Sequence, residues 1–212
     1  GYETITGIID LEYEKPNKGD LFSLNAYVNN EMKGELSAKL NHIFNDKLST
    51  GLYIYGTSNQ LKAYDHLGTK PDGTHGDGFM DYPKHSQFNI VNRWTYEVPD
   101  GLCSQTMINY THEDRVGGQM DFDKSMRGDS TIYGLGGATD RIHFFTKNGA
   151  PINNASSFGT QVSATYFKQD AFYGLSNYKG TEGDVYANVL VNSEIWGGHS
   201  VDFGASFRYS DT

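Results

Sequence analysis

Apolar and polar residues alternate along most of the chain. "LFSLNAYVNN" sets Phe22, Leu24, Ala26 and Val28 against Ser23, Asn25, Tyr27 and Asn29. "GELSAKLNHIF" sets Leu36, Ala38, Leu40 and Phe44 against Glu35, Ser37, Lys39 and Asn41. The same rhythm returns in "LSTGLYIYG", in "QFNIVNRWTYE" and in the final "VDFGASFRY". It is clearest in "VYANVLVNSEIW", where Val185, Ala187, Val189, Val191 and Ile195 oppose Tyr186, Asn188, Asn192 and Glu194. Successive side chains of an extended strand point to opposite faces, so each segment predicts a strand with one apolar and one polar face. The predicted strands run about nine to fourteen residues, longer than the ~5 to 6 usual in globular sheets and close to the ~9 to 11 of a tilted membrane-spanning strand.

The polar face is rich in Asn, Ser, Gln, Lys and Arg. A transmembrane barrel turns its apolar face to lipid and its polar face to a wet lumen, whereas a small soluble barrel is apolar inside. Alternation alone does not choose between them. Connection lengths favour the first. "FNDKLS", "VPDGL" and "WGGHS" read as tight turns, while residues 60–84 and 112–131 are long and polar. Outer-membrane barrels have this asymmetry, with short turns at one end and long loops at the other. "EMKG" is too short for its predicted side, and "NGAPINNASS" is longer than a minimal turn.

Composition narrows the partners. Aromatics make up 14% of the 212 residues, with 25 Gly and only 5 Pro, a β-type usage. A net charge of −9 leaves no basic stripe to neutralise phosphates, which excludes a nucleic-acid partner. The one cysteine, Cys103, permits no internal disulfide. No run of ~18 to 20 apolar residues marks a membrane helix. "GYETITGIID" lacks the basic and apolar regions of a secretory leader, and the chain reads as a piece of a longer protein. No G-x-S-x-G, H-E-x-x-H, phosphate-loop or C-x-x-C motif supports catalysis, and the expectation is a non-enzyme.

The opening "GYETITGIIDLEYEKP", with Ile5, Gly7, Ile9 and Leu11 in an I-x-G-x-I-x-apolar pattern, resembles the junction at which the plug of a TonB-dependent outer-membrane receptor passes into its barrel. "DGFMDYP" followed by "QFNIVNRW", with "YTHEDRVGGQM" later, is similar to the Bacteroidetes-type branch of these receptors. The resemblance implies an all-β chain: the last plug strand and plug–barrel junction over residues 1–16, then residues 17–212 as the N-terminal part of an antiparallel transmembrane β-barrel, about nine strands of a larger one. It further implies a bacterial outer-membrane location and contact with outer-membrane lipid. The implied activity is uptake of a scarce metal complex, such as a siderophore, haem, cobalamin or copper chelate, driven by the TonB complex through a plug mostly absent from this sequence. The alternative is a soluble β-sandwich or barrel that binds a ligand through a calcium-binding loop. A third reading, a membrane-barrel hydrolase, would need a nucleophile such as Ser104 or Ser163.

The loop "PDGTHGDGFMDYP" is the first candidate site. Calcium takes six to eight oxygen ligands, and closely spaced aspartates between glycines let a short loop wrap one ion. Asp65, Asp72, Asp77 and Asp81 are the candidate ligands, although the spacing is not that of an EF-hand and Asp and Gly are also good turn formers. His66, His75 and Met80, together with His85, suit a softer metal or a metal-bearing substrate. His112 and Arg115, in "THEDRVGG", are further candidate substrate contacts in the external loops, with Arg115 suited to an anionic group and equally to its neighbours Glu113 and Asp114. Tyr53, Tyr55, Trp94, Tyr96, Trp196, Phe207 and Tyr209 are candidates for aromatic girdles at the membrane interfaces.

Overall fold

The computed structural model describes residues 14–60 and 63–212. Nine antiparallel strands form one sheet in sequence order, each paired with its neighbours along the chain. They are β1 (Phe22–Val28), β2 (Gly34–Ile43), β3 (Leu48–Ser58), β4 (Lys84–Glu97), β5 (Cys103–Gly118), β6 (Gly134–Asn153), β7 (Ser156–Tyr173), β8 (Ser176–Glu194) and β9 (Ser200–Asp211). One 3-10 turn, Lys124–Met126, is the sole helical element among the described residues. The sheet is open, and β1 and β9 are its edges. Because each step reverses direction, these two edges run the same way.

The strand count agrees with the alternation, but the lengths exceed it: β6 has 20 residues, β7 18 and β8 19. "NGAPINNASS" is not a loop. Its ends pair as strand, and only Asn154 and Ala155 make the turn. The connections at one end of the sheet, residues 44–47, 98–102, 154–155 and 195–199, are all short. At the other end, residues 59–83 and 119–133 are long, whereas 29–33 and 174–175 are tight.

Register assigns every side chain to a face. The line Leu24–Ala38–Ile54–Ile90–Tyr110–Ile142–Tyr166 joins residues paired across seven strands, and it continues through Gly183 to Asp211. This face is apolar and bare. Leu24 is 56% exposed, Ile108 53% and Phe203 67%. The opposite face holds polar residues that bond across strands. Asn89 Nδ2 donates to Asn109 Oδ1 and Thr111 Oγ1, Asn188 Nδ2 to Ser206 Oγ, and Arg208 Nε to Asp184 Oδ2. Several of its members are buried, including Ser49, Thr57, Val91, Arg93 and Thr95. The usual arrangement is thus inverted, with the apolar face exposed and polar residues buried on the other, where, among the described residues, the Thr57 and Thr95 hydroxyls find no hydrogen-bond partner.

The apolar band crosses the sheet obliquely. On β1 it reaches Val28, four residues past the register line through Leu24 toward the long-loop end, while on β9 it stops at Tyr209, short of Asp211. Its edge therefore slides by about six residues in eight strand-to-strand steps. Strands ~4.8 Å apart and tilted ~35° hold a constant height only by shifting roughly one residue per step. The slide accounts for most of that shift.

The segment leading into β1 lies on the polar face of β2 to β4. Tyr53 Oη and Arg93 Nη1 donate to the Glu14 carbonyl, Lys39 Nζ lies 2.8 Å from the Glu14 carboxylate, and Lys15 pairs with Glu97. Pro16 is buried against Gly51, the one position there without a side chain to exclude it. Ile5, Gly7, Ile9 and Leu11 lie outside the described residues.

Candidate functional site at the long-loop end

The loop 59–83 is built on its aspartates. Asp65 accepts from the backbone N–H groups of Asp77 (2.8 Å) and Gly78 (3.0 Å), and Asp81 accepts from those of His66 (2.7 Å) and Leu67 (3.2 Å). Asp72 takes the N–H and hydroxyl of Thr74, and Asp77 takes the Phe79 N–H. Glycine is needed at 76, where φ is +93° and a Cβ would fall 2.5 Å from Asp65 Oδ1. The four candidate calcium ligands thus act as turn braces, the competing role for Asp in such a sequence. Among the described residues no three His, Cys, Asp or Glu side chains converge on one point. As folded, these carboxylates do not fit a calcium cage; an ion would have to displace the backbone donors.

This loop is joined to the loop 119–133. Phe79 bridges Gln119, Met80 N–H donates to the Gly118 carbonyl, and Met120 N–H to that of Gly78. Beneath the junction Val116, Phe122 and Phe172 form a small buried cluster, with Met80 and Ile132 packed against it. Met80 is therefore a packing residue. Arg127 secures the second loop, its guanidinium 4.9 Å above the Phe172 ring with Nη2 donating to Asp170 at 2.8 Å.

The remaining candidates separate by face. His66 packs its ring against Tyr64 at 5.6 Å, and His75 lies in the small bridge with Thr69. His112 sits on the apolar side just beyond the band, its Nδ1 2.8 Å from Asp140 Oδ1, an atom that also accepts from the Tyr110 hydroxyl. Arg115 is on the polar side, paired with Glu113. There it lines a cavity of about 380 Å³ with Lys33, Asn59, Tyr64, Tyr82 and His85. His85 is held below the usual histidine range, first by burial and then by the positive charges of Arg115 and Lys33. The cavity brings together the turn 29–33, the loop 59–83 and the end of β5, at the mouth of the polar face. Of the predicted contacts Arg115 and His85 enter it. Lys33, Asn59 and Tyr82 carry no local motif, since register and loop folding alone bring them together.

Aromatic residues edge the band. Trp94, Tyr96 and Trp196 lie toward the short-turn end, with Phe44 stacked on Trp94 at 5.6 Å. Tyr110, Tyr166 and Tyr209 follow the long-loop edge. Tyr53 and Tyr55 fall on the polar face, so they belong to no girdle; their parity in β3 opposes that of Leu52 and Ile54.

Compared with known proteins, the chain matches no family model, no curated protein and no solved structure.

Proposed function

We propose that this chain is part of the transmembrane barrel of an outer-membrane transporter of the TonB-dependent kind, taking up a scarce metal complex. The observation that carries the reading is the bare apolar band, tilted across the strands, aromatic at both edges and backed by a polar face whose side chains bond from strand to strand. Lipid is the solvent in which such a face is stable. The edges β1 and β9 cannot stand unpaired in hydrocarbon, where each unsatisfied backbone group costs several kcal/mol. Their common direction means that pairing them with each other would be parallel; antiparallel closure takes an odd number of further strands. The seating of Glu14 to Pro16 on the polar face supports a plug–barrel junction on the lumen side. The cavity around Arg115 and Lys33, at the mouth of that face, is where an incoming complex first meets built side chains.

The test uses the natural full-length protein in its own cells. It should resist alkaline extraction from the outer-membrane fraction, and its deletion should abolish energy-dependent uptake of one labelled iron, cobalt or copper complex. Recovery from the soluble fraction would sink the barrel assignment. A membrane protein whose loss alters no such uptake would leave the barrel and remove the transporter.

A further inference from the structure

The contacts of Glu14 to Pro16 are with β2 to β4. Beyond them, on β6, the polar face changes character. This strand turns Thr139, Arg141, His143, Phe145 and Lys147 to that side. Arg141 and Lys147 are exposed, and among the described residues neither makes a hydrogen bond or an ion pair. Their cross-strand neighbours are neutral: Thr111 and Phe167 beside Arg141, Gln105 and Gln161 beside Lys147. His143 stands between them in the row Asn109–His143–Thr165, its Nδ1 2.8 Å from Thr165 Oγ1.

No carboxylate of the sheet answers these two charges. β5 to β7 place one on this face, Glu113, and Arg115 holds it at the mouth. On β8 Arg208 takes Asp184, and Glu182 stands two strands from Arg141. By contrast Lys39, Arg115 and Arg208, on the same face, each meet a carboxylate. Acids outnumber bases 26 to 17 in the chain, so two unmatched cations on one strand are a local exception that calls for a counter-charge.

Residues 1–13 carry Glu3, Asp10 and Glu12 and no Lys or Arg. The geometry points to this acidic stretch of the chain itself as the occupant of the β6 wall, with Asp10 and Glu12 meeting Arg141 and Lys147. Its point of departure is fixed, because Arg93 and Tyr53 hold the Glu14 carbonyl and Lys39 its carboxylate. From β4 to β6 is two strand spacings, ~9.6 Å. An extended chain advances ~6.6 Å over two residues and ~13 Å over four, so Glu12 comes over β5 and Asp10 over β6. Asp10, Glu12 and Glu14 share parity, and one side of an extended chain carries all three. Arg141 and Lys147 flank the row of His143, one above and one below. The inference goes beyond the transporter reading and does not depend on which solvent meets the apolar face.

The test uses the full-length protein with Cys103→Ser as background. On mild oxidation Asp10→Cys should form a disulfide with His143→Cys and none with Ser206→Cys on β9. Arg141→Gln with Lys147→Gln should raise hydrogen exchange across residues 8–13 by about fourfold, the combined effect of two exposed ion pairs. Asp10→Asn with Glu12→Gln should do the same, and all four substitutions together should add nothing further, because groups that touch do not act independently. Lys168→Gln, an exposed cation on the other face of β7, should leave that exchange unchanged. The inference is overturned if Asp10→Cys joins none of His143→Cys, Asn109→Cys and Thr165→Cys. It is equally overturned if removing both wall cations leaves the exchange at the parent's rate with circular dichroism unaltered, or if the two pairs of substitutions act additively; the wall would then serve an occupant from outside these residues.

Discussion

Placing a charge within the apolar band separates a lipid-facing sheet from a water-facing one. Ile108 lies in the band on β5, between Asn92 and Phe144 in register, and is 53% exposed. In water, replacing so exposed a side chain with arginine is worth within about 0.5 kcal/mol either way. Against hydrocarbon the same change costs about 2–4 kcal/mol near the midplane and falls to ~0–1 at the interface. Ile108→Arg should therefore destabilise the full-length protein by about 2–3 kcal/mol in lipid vesicles, and Val189→Arg on β8 by a similar amount. Tyr209→Arg, at the band edge, should cost less than about 1 kcal/mol. The assay is reversible urea unfolding in vesicles, followed by the emission of Trp94 and Trp196. The depth dependence matters more than any single value. Equal, small effects at all three positions would refute a lipid-facing band.

Four further outcomes follow from named contacts. Gly134→Ala should loosen the loop 119–133, because a Cβ there meets the Phe122 ring at 2.2 Å; proteolysis within that loop should rise by about the factor of ten that ~1–3 kcal/mol of overpacking implies, with the strands intact. Asp65→Ala leaves the N–H groups of Asp77 and Gly78 without their acceptor, so hydrogen exchange at both should accelerate, while chelation of calcium should leave the unaltered loop as it is. Acid should open the same end of the sheet. Hydrogen bonds from Thr74, Ser125 and Thr131 hold the carboxyls of Asp72, Asp123 and Asp129 below the usual range, and Arg127 does so for Asp170. A depressed carboxyl contributes its stability above the unfolded pKa of about 3.9 and loses it as pH falls toward the folded value, so the protection of these loops, exchange measured relative to the intrinsic rate at each pH, should be flat from pH 7 to ~5 and fall below ~4. Finally, Arg93→Ala should release the segment before β1, detected as new cleavage near Lys15, because Arg93 joins the Glu14 carbonyl to Gln105.

Much of the sheet is legible in the sequence because parity is local. Leu36, Ala38 and Leu40 declare their face without any knowledge of neighbours. Both ends of β6 are harder, since "GLGGATDR" and "NGAPIN" replace apolar positions with glycine and polar residues whose pairing comes from adjacent strands. The Gly134 and Gly136 positions have a reason visible only in three dimensions: Phe122 and Phe172 occupy the space of their missing side chains. The aspartate loop reads equally as metal site or turn in one dimension, and the backbone donors decide its folded role. Parity also sorts two pairs of candidates in advance. His112 and Arg115 are an odd number of residues apart on one strand and so cannot serve one face, and Tyr53 and Tyr55 likewise share the parity of Ser49 rather than of Leu52.

The central claim is that the two faces of this sheet meet different solvents. Single cysteines placed along β8 of the full-length protein in vesicles, at Val185, Ala187, Val189 and Val191 and at Tyr186, Asn188 and Asn192, with Cys103→Ser as background, would carry a nitroxide label. The account predicts a period of two: the first set relaxed by oxygen dissolved in lipid, the second by a water-soluble nickel reagent. Nickel access at both sets alike would contradict it.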